Sequence, residues 1–188
     1  ANSTRYFFEA AGVGLDAALF PIGQEIKEGS WKRMWQAIRM THAYRQHLIT
    51  FTFDRPLGEA LPRNRHHRLG KTELQGHSIR LHCLMAVAAN GPYYGSALHV
   101  APDALLTDGL LTIHAYRRFS KWELVRHFWG ITKGRRRYSP KVETFLAKEV
   151  RIETGNPLPA HLGGQSCGHT PLDLNAVPAA LRVITPKT

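Results

Sequence analysis

Asp108 is followed by Gly109, and this pair of an acid and a glycine stands between two apolar runs. An Asp-Gly pair in this setting predicts first of all a hairpin turn. Such a turn can also present one carboxylate and neighbouring backbone carbonyls to a hard cation, which prefers oxygen ligands. The pair therefore predicts either a structural turn or a metal-binding loop.

A second segment that could take part in chemistry is residues 90–95, which contains Asn90, Gly91, Tyr94 and Gly95. Glycine lets a backbone approach a ligand closely, while the amide and phenol groups can hydrogen-bond to it. The same residue types also suit a turn between two strands with packed tyrosines. From the residues alone, a ligand-covering loop and a plain turn both stay open.

Two basic clusters stand out, residues 63–68 (RNRHHR) and 133–137 (KGRRR), in a chain of net charge +11 and pI near 10.1. This charge predicts attraction to polyanions, meaning nucleic acid, anionic lipid headgroups or phosphorylated metabolites. Each cluster is first of all a solvated loop, yet either could dock on an anionic bilayer. Neither contains interleaved aromatic residues, which disfavours a nucleic-acid-binding module.

The bulk properties indicate one domain that spans residues 1–188 and has an ordinary hydrophobic content of 43%. No apolar run approaches the roughly 18 residues that a membrane-spanning helix needs. The two cysteines, Cys83 and Cys167, lack metal or redox spacing, so free thiols in a reducing, cytoplasmic compartment are expected. The chain begins without Met or a signal-peptide pattern, so we expect part of a longer protein.

The secondary-structure elements predicted to carry these residues are mostly strands. Alternating apolar and β-branched residues, bounded by turn residues, predict strands, and apolar residues at helical spacing predict helices. Strands outnumber helices and do not alternate with them regularly, which predicts an α+β, mostly β fold: an antiparallel β-sandwich with a few attached helices. The strands are predicted at 6–16, 48–53, 78–88, 97–100, 110–116, 150–153 and 181–184, and the helices at 30–47, after a Ser120–Glu123 capping box, and at 139–147.

Three ordered segments resemble the second domain of the diacylglycerol kinase, sphingosine kinase and bacterial lipid kinase family. Any one would be weak, but together they extend over nearly the whole chain. The resemblance implies the second domain of the NAD kinase/diacylglycerol kinase-like fold. The segments are 8–17 (FEAAGVGLDA); 89–95 (ANGPYYG) followed by 101–111 (APDALLTDGLL); and 158–165 (LPAHLGGQ) followed by 170–172 (TPL) and 178–183 (PAALRV).

The resemblance assigns roles to several residues. The family's metal loop implies that Mg²⁺ is held by the side chain of Asp108 and the backbone carbonyls of Leu105 and Leu110, although the family's second acid is replaced by Thr107. The family's tail motif, Asp-Gly-Glu, carries the presumed base, and its glutamate is matched by Gln165. The resemblance also implies a substrate cleft, which we expect to be lined by Asn90, Gly91, Tyr94, Gly95 and Gly164.

Gln165 puts the usual catalytic step in question, because an amide can orient a hydroxyl but cannot accept its proton at neutral pH. His161 and His169 are alternative bases, since histidine titrates near pH 7, although an isolated histidine is more often structural.

The resulting hypothesis is the C-terminal half of a lipid kinase that uses ATP and Mg²⁺ to phosphorylate a diacylglycerol- or sphingosine-like hydroxyl. The N-terminal domain with the nucleotide loop is absent from this chain, so the isolated 188 residues are expected to be inactive. The alternatives are a catalytically impaired lipid-binding or regulatory relative and a basic nucleic-acid module. The partners expected are the lipid, an anionic membrane surface and the N-terminal domain, with a homodimer left open.

Overall fold

A computed structural model describes residues 4–19, 31–62, 74–94, 99–117, 119–120, 122–123, 126, 130, 139 and 141–182. Strands dominate this part of the chain, and residues 15–19 add a helical segment directly after the first strand. The elements in chain order are β1 Ala10–Gly14, α1 Trp31–Ala43, β2 His47–Phe53, α2 Leu57–Ala60, β3 Ser78–Ala89, β4 Leu111–Arg117, β5 Val142–Ala147, β6 Glu149–Thr154, β7 Pro159–Leu162, β8 Gln165–His169 and β9 Leu172–Asn175.

All strand pairs among the described residues are antiparallel. They form a sheet with the order β8-β7-β1-β3-β2-β6-β9, from which β4 and β5 branch off at β3. The long strand β3 alternates exposed and buried residues as far as Cys83, where a bulge shifts its register against β4. Residues 84–89 are buried without alternation, because both faces of the sheet are covered there.

The main core lies where the branched sheet folds over on itself. Phe145 of β5 contacts Phe53 and Phe51 of β2, with ring centroids 5.1 and 6.4 Å apart, although β2 and β5 are not neighbours in the sheet. Stacked and tilted aromatic pairs of this kind stabilise an interior beyond the area that they bury. These contacts across the interior confirm the predicted antiparallel sandwich.

A second apolar cluster covers the opposite face of the β3 end, and it places the candidate site. Leu15, Met85 and Tyr94 belong to this cluster together with Val100 and Phe119. The cluster therefore joins the start of the 15–19 helix, the centre of the sheet and the segment that follows β3. No helix among the described ranges is long and apolar enough to cross a membrane.

Four predicted strands are confirmed, and the other three strand predictions are wrong in whole or in part. The predicted strands at 48–53, 78–88, 110–116 and 150–153 correspond to β2, β3, β4 and β6, while only the end of the predicted strand at 6–16 is found, as β1. His99 and Val100 do not form a strand, and 97–98 lie outside the described residues. Leu181 and Arg182 also do not form a strand, and 183–184 lie outside the described residues.

Because β4 pairs with β3 and β5 and not with a strand at 97–100, the Asp108-Gly109 pair is not the turn of the predicted hairpin. It is a turn that leads into β4, with Gly109 at φ +69°.

The helix predicted for 139–147 is a strand, β5. Ser139 does accept a hydrogen bond from the Lys141 N–H at 3.3 Å, as a cap would, but its carbonyl accepts from Val142 at 2.9 Å and closes a turn. Val142 to Ala147 then pair along β4. This tertiary pairing, together with the β-branched Val142 and Thr144, outweighs the local capping signal.

The predicted helix at 30–47 is shorter than expected, because α1 ends at Ala43 and β2 begins at His47. Within this helix, Trp35 is 62% exposed. The strands β7, β8 and β9 were not predicted, since they are only 4, 5 and 4 residues long and β8 is almost entirely polar or glycine.

Both cysteines are free thiols, as predicted. Cys83 is fully buried in β3, and burial raises the pKa of its thiol to about 12. Cys167 is half-buried, and burial also raises the pKa of its thiol.

The predicted capping box is confirmed in atomic detail. Ser120 N–H donates to Glu123 Oε2 at 2.8 Å, and Glu123 N–H donates to Ser120 Oγ at 3.3 Å. Lys141 Nζ also donates to the Glu123 carboxylate at 2.7 Å. The helical turn at 122–123 is thereby tied to the start of β5.

We expect Glu123 to make a pH-dependent contribution to stability. Donation from Lys141, aided by Ser120, lowers the pKa of the Glu123 carboxyl from its ordinary 4.5 to about 2. A carboxyl whose pKa is depressed in the folded state stabilises above its unfolded pKa and loses this contribution as the pH falls through the folded pKa. The difference in unfolding free energy between the wild type and Glu123→Gln should therefore shrink between pH 4.5 and about 2. Urea titrations across this window measure it, and a constant difference would contradict the prediction.

Candidate functional site

A buried polar cluster formed by Asp16, His161 and Tyr94 lies at the edge of the second apolar cluster. His161 Nε2 is 2.9 Å from Asp16 Oδ2 and 2.9 Å from the Tyr94 hydroxyl, and this hydroxyl is 3.5 Å from the same Asp16 oxygen. His161 and Tyr94 are buried, while the Asp16 side chain keeps 17% of its surface exposed. The two rings stack with their centroids 5.7 Å apart.

Three separate parts of the chain bring these side chains together. Asp16 follows β1 directly, in the helical residues 15–19. His161 lies in β7, opposite Gly12 of β1 in the antiparallel pairing. Tyr94 comes from the segment after β3, whose start is held by the Asn90 N–H that donates to the carbonyl of Glu9, directly before β1, at 2.8 Å. Strand pairing, and not local sequence, thus assembles the cluster.

Gly12 makes room for the cluster. A Cβ atom at this position would lie 2.2 Å from His161 Nε2 and 2.3 Å from Asp16 Oδ2. Both distances are far below van der Waals contact, so a side chain here could only be placed by pushing the cluster apart. The glycine is therefore required by the packing of His161 and Asp16 over β1.

The hydrogen bonds fix the tautomer of His161. Its Nδ1 accepts a hydrogen bond from the Gly164 N–H at 3.3 Å, so in the neutral ring the proton is on Nε2. Nε2–H then donates towards Asp16 Oδ2, and the Tyr94 hydroxyl donates its own proton to the same carboxylate oxygen. Burial, followed by the charge of Asp16, raises the pKa of Tyr94 well above its ordinary value, which keeps the phenol protonated as a donor.

The tail turn, Gly163–Gly164, connects β7 to β8 next to this cluster. Both glycines have positive φ, +53° and +83°, as a two-residue type I′ hairpin requires. The Gly163 N–H donates to the Ala10 carbonyl of β1 at 2.8 Å. Gln165, the first residue of β8, is exposed directly after this turn. The position matched to the family's base is therefore held on a tight, glycine-defined hairpin.

The segment after β3 is held by several contacts. Asn90 donates from its side chain to the Phe8 carbonyl at 3.0 Å, so its amide is used to anchor the segment. Gly91 packs against Leu106, whose Cδ2 would be 2.8 Å from a Cβ at position 91. Gly95 lies outside the described residues. The predicted cleft residues thus divide: Tyr94 and Gly164 meet at His161, while Asn90 and Gly91 support the backbone around them.

The Asp108 loop forms an exposed turn before β4. Asp108 Oδ1 accepts the Leu110 N–H at 2.9 Å, while Oδ2 has no hydrogen-bond partner among the described residues. Leu105 and Leu106 are largely exposed, and Leu110 is half-buried. Within the described ranges, no group of three or more His, Cys, Asp or Glu residues could hold a metal. A cation here would depend on a single carboxylate and on carbonyl oxygens.

The sequence-based prediction named His161 only as an alternative base and gave no role to Asp16. Both stand in segments that carried the family resemblance, but their contact depends on the register of β1 with β7. His169 is exposed near the end of β8. Both basic clusters, 63–68 and 133–137, lie outside the described residues.

Comparison with known proteins decides the family. Residues 58–185 match the model of the YegS C-terminal NAD kinase beta sandwich-like domain. This range covers well over half of the chain and includes Tyr94, Asp108 and Gln165. The chain belongs to this family.

Two curated relatives of this chain are diacylglycerol kinases of Mycobacterium tuberculosis, strains CDC 1551 / Oshkosh and ATCC 25618 / H37Rv. Each is 34% identical over 103 residues, which is 55% of this chain and 33% of the relative. The aligned region thus spans about a third of the length of these relatives.

Two solved structures of candidate diacylglycerol kinases from Bacillus anthracis str. Sterne share the fold of this YegS C-terminal domain. They match with TM-scores of 0.60 and 0.58 at 18% and 15% identity. Each match covers 92% of this chain and 50% of the solved chain. At this identity the likeness shows the fold alone, and it agrees with the β-sandwich described above.

Proposed function

We propose that this chain is the lipid-substrate half of an ATP-dependent lipid kinase. Joined to an N-terminal nucleotide-binding domain, it transfers the γ-phosphate of ATP to the hydroxyl of a diacylglycerol- or sphingosine-like lipid. Its membership of the YegS C-terminal domain family and its diacylglycerol kinase relatives support this proposal.

The observation that carries the proposal is the meeting of the three resembling segments at one place. Asp16 comes from the first segment, Tyr94 from the second and His161 from the third, and all three share hydrogen bonds. Buried polar groups that satisfy one another in this way fix the relative position of the backbones that carry them. The tail turn and Gln165 are consequently held at a defined distance from the 90–94 segment.

Magnesium is the cofactor that we assign to the Asp108 loop. The donor set suits it, because Asp108 is exposed and keeps Oδ2 available among the described residues, and a hard cation prefers carboxylate and carbonyl oxygens. Asp108 would hold the ion with the carbonyls of Leu105 and Leu110. When bound, Mg²⁺ supplies positive charge that stabilises phosphate oxygens during transfer. With one acid and Thr107 as its neighbour, we expect weak binding in the absence of nucleotide.

The part assigned to Gln165 is to orient the attacking lipid hydroxyl. Its amide oxygen can accept a hydrogen bond from the hydroxyl, but it cannot remove the proton. A positioned general base contributes roughly 10²–10⁴-fold to such reactions, so the wild-type reaction is expected to be slow. Phosphoryl transfer depends chiefly on positioning and electrostatic stabilisation, and it can proceed without strong base catalysis.

Peripheral attachment to the cytoplasmic face of an anionic membrane is part of the proposal. The net charge of +11 favours it, since each Lys or Arg near an anionic surface contributes about 1 kcal/mol to binding. Attachment to such a surface would bring the domain to its lipid substrate.

The proposal is tested on the full-length protein with labelled ATP, Mg²⁺ and vesicles that contain diacylglycerol or sphingosine. We expect a labelled lipid phosphate that disappears when Mg²⁺ is chelated. Binding to these vesicles without any transfer would favour the catalytically impaired relative, whose motivation is Gln165 itself. Salt-dependent retention on DNA, with no binding to anionic vesicles, would contradict the membrane assignment.

A further inference from the structure

The hydrogen bond from the Gly164 N–H to His161 Nδ1 joins the buried cluster to the tail turn. We propose that His161 is a positioning residue that holds this turn, and with it Gln165, in the geometry needed for phosphoryl transfer. The inference rests on the proposed function, but its structural part can be measured without it.

The orientation of the imidazole ring is fixed on both sides. Nε2 contacts Asp16 and Tyr94 at 2.9 Å, and the Tyr94 ring stacks on the imidazole with an interplanar angle of 16°. His161 is only 1% exposed, so solvent does not compete for these contacts. Nδ1 is consequently directed at one place, the amide of Gly164.

The tail turn needs such an anchor because its own side chains offer none. Both residues of the turn are glycines, and a Cβ at Gly163 would meet nothing within 4 Å, so no packing supports the turn on that side. Two amides hold it to the body of the domain: Gly163 to the Ala10 carbonyl, and Gly164 to His161. Glycines lose more conformational freedom on ordering than other residues, so the loss of one anchor should loosen the turn.

The hydrogen bond between Gly164 and His161 also links the position of Gln165 to parts of the chain that are distant in sequence. Asp16 lies 145 residues before His161, and Tyr94 lies 67 residues before it. A shift of the ring would therefore change the position of the turn relative to both the 15–19 helix and the segment after β3. Misplacement of a reacting group by about 1 Å can lower a rate by about 10²-fold.

The competing account is that His161 is a buried histidine with a purely structural role. Two variants of the full-length protein distinguish this account from the positioning role. The shorter side chain of His161→Asn brings an amide oxygen to about the position of Nδ1, which retains the acceptor for Gly164. The longer side chain of His161→Gln brings its amide to about the position of Nε2, which retains contact with Asp16 but removes the acceptor. Each variant thus keeps the hydrogen bond of one ring nitrogen and loses that of the other.

We expect His161→Gln to lower kcat about tenfold or more while KM for ATP and lipid changes less than about threefold, since alignment and not binding is lost. His161→Asn loses the contacts of Nε2 but keeps the acceptor for Gly164, so it should retain a clearly larger share of the wild-type kcat than His161→Gln. Hydrogen exchange in peptides that cover 162–169 should accelerate more in His161→Gln than in His161→Asn. The exchange does not depend on kinase activity.

Equal losses of kcat in both variants, or unchanged exchange in His161→Gln, would overturn the inference while leaving the proposed function intact. An inactive wild type overturns the proposed function, and with it the catalytic part of the inference. The exchange data then show separately whether His161 holds the turn.

Discussion

Replacement of Gly12 by alanine should disrupt the Asp16–His161–Tyr94 cluster and lower the free energy of unfolding by about 1–3 kcal/mol, the usual cost of overpacking. The new Cβ would lie 2.2 Å from His161 Nε2 and 2.3 Å from Asp16 Oδ2. Neither group can yield easily, because His161 is buried and also holds the Gly164 amide. Urea denaturation of the full-length protein, followed by a probe in this domain, measures the change.

Gly155→Ala is the matched control for this prediction. Gly155 follows β6, a Cβ at this position would meet nothing within 4 Å, and its φ is outside the left-handed region. Its free energy of unfolding should therefore change by less than about 0.5 kcal/mol. Equal stability of Gly12→Ala and Gly155→Ala would show that the space above Gly12 is not filled by the cluster as described.

The second large effect is expected from Gln165→Glu, which should raise kcat for lipid phosphorylation by on the order of 10²-fold, the lower end of general-base contributions. A carboxylate at this position could accept the proton that the amide cannot. Gln165 is exposed at the start of β8, directly after the tail turn, so the free energy of unfolding should change by less than about 0.5 kcal/mol. Steady-state rates with labelled ATP and lipid vesicles measure the effect.

Gln165→Ala distinguishes an orienting amide from a bystander. If the amide orients the lipid hydroxyl, kcat should fall about tenfold, with KM for ATP nearly unchanged. Turnover that survives Gln165→Ala unchanged would remove this position from catalysis. No gain in Gln165→Glu would contradict the interpretation that the wild type lacks its base.

The strands could be predicted where residues that face the core alternate with residues that face away from it. β2 was found because β-branched and aromatic residues alternate in it, and β3 because apolar residues alternate with polar ones from Ser78 to Cys83; both patterns depend on one buried face. β5 was mistaken for a helix because Ser139 carries a local capping signal, whereas pairing with β4 is a tertiary effect. β8 escaped prediction because it is an edge strand, largely exposed, with no apolar face to reveal it.

The site was predictable in its parts but not in its assembly. The resemblance matched Gln165 to a family position and assigned Tyr94 and Gly164 to a substrate cleft. The contact between His161 and Asp16 could not be predicted, because it depends on the pairing of Gly12 with His161 across 149 residues, which no local pattern encodes. Gly12 is consistent with this contact, because a glycine leaves room for the two side chains. The glycine can be interpreted in this way only once its pairing with His161 is known.

The most direct test of the account is transfer of label from γ-labelled ATP to lipid by the full-length wild-type protein, run beside Asp108→Ala. We expect slow formation of a lipid phosphate from diacylglycerol or sphingosine in the wild type. We expect this product to be lost in Asp108→Ala, which removes the carboxylate assigned to Mg²⁺. Absence of lipid phosphorylation by both the wild type and Gln165→Glu, with ATP, Mg²⁺ and vesicle-bound protein all present, would contradict the lipid kinase assignment.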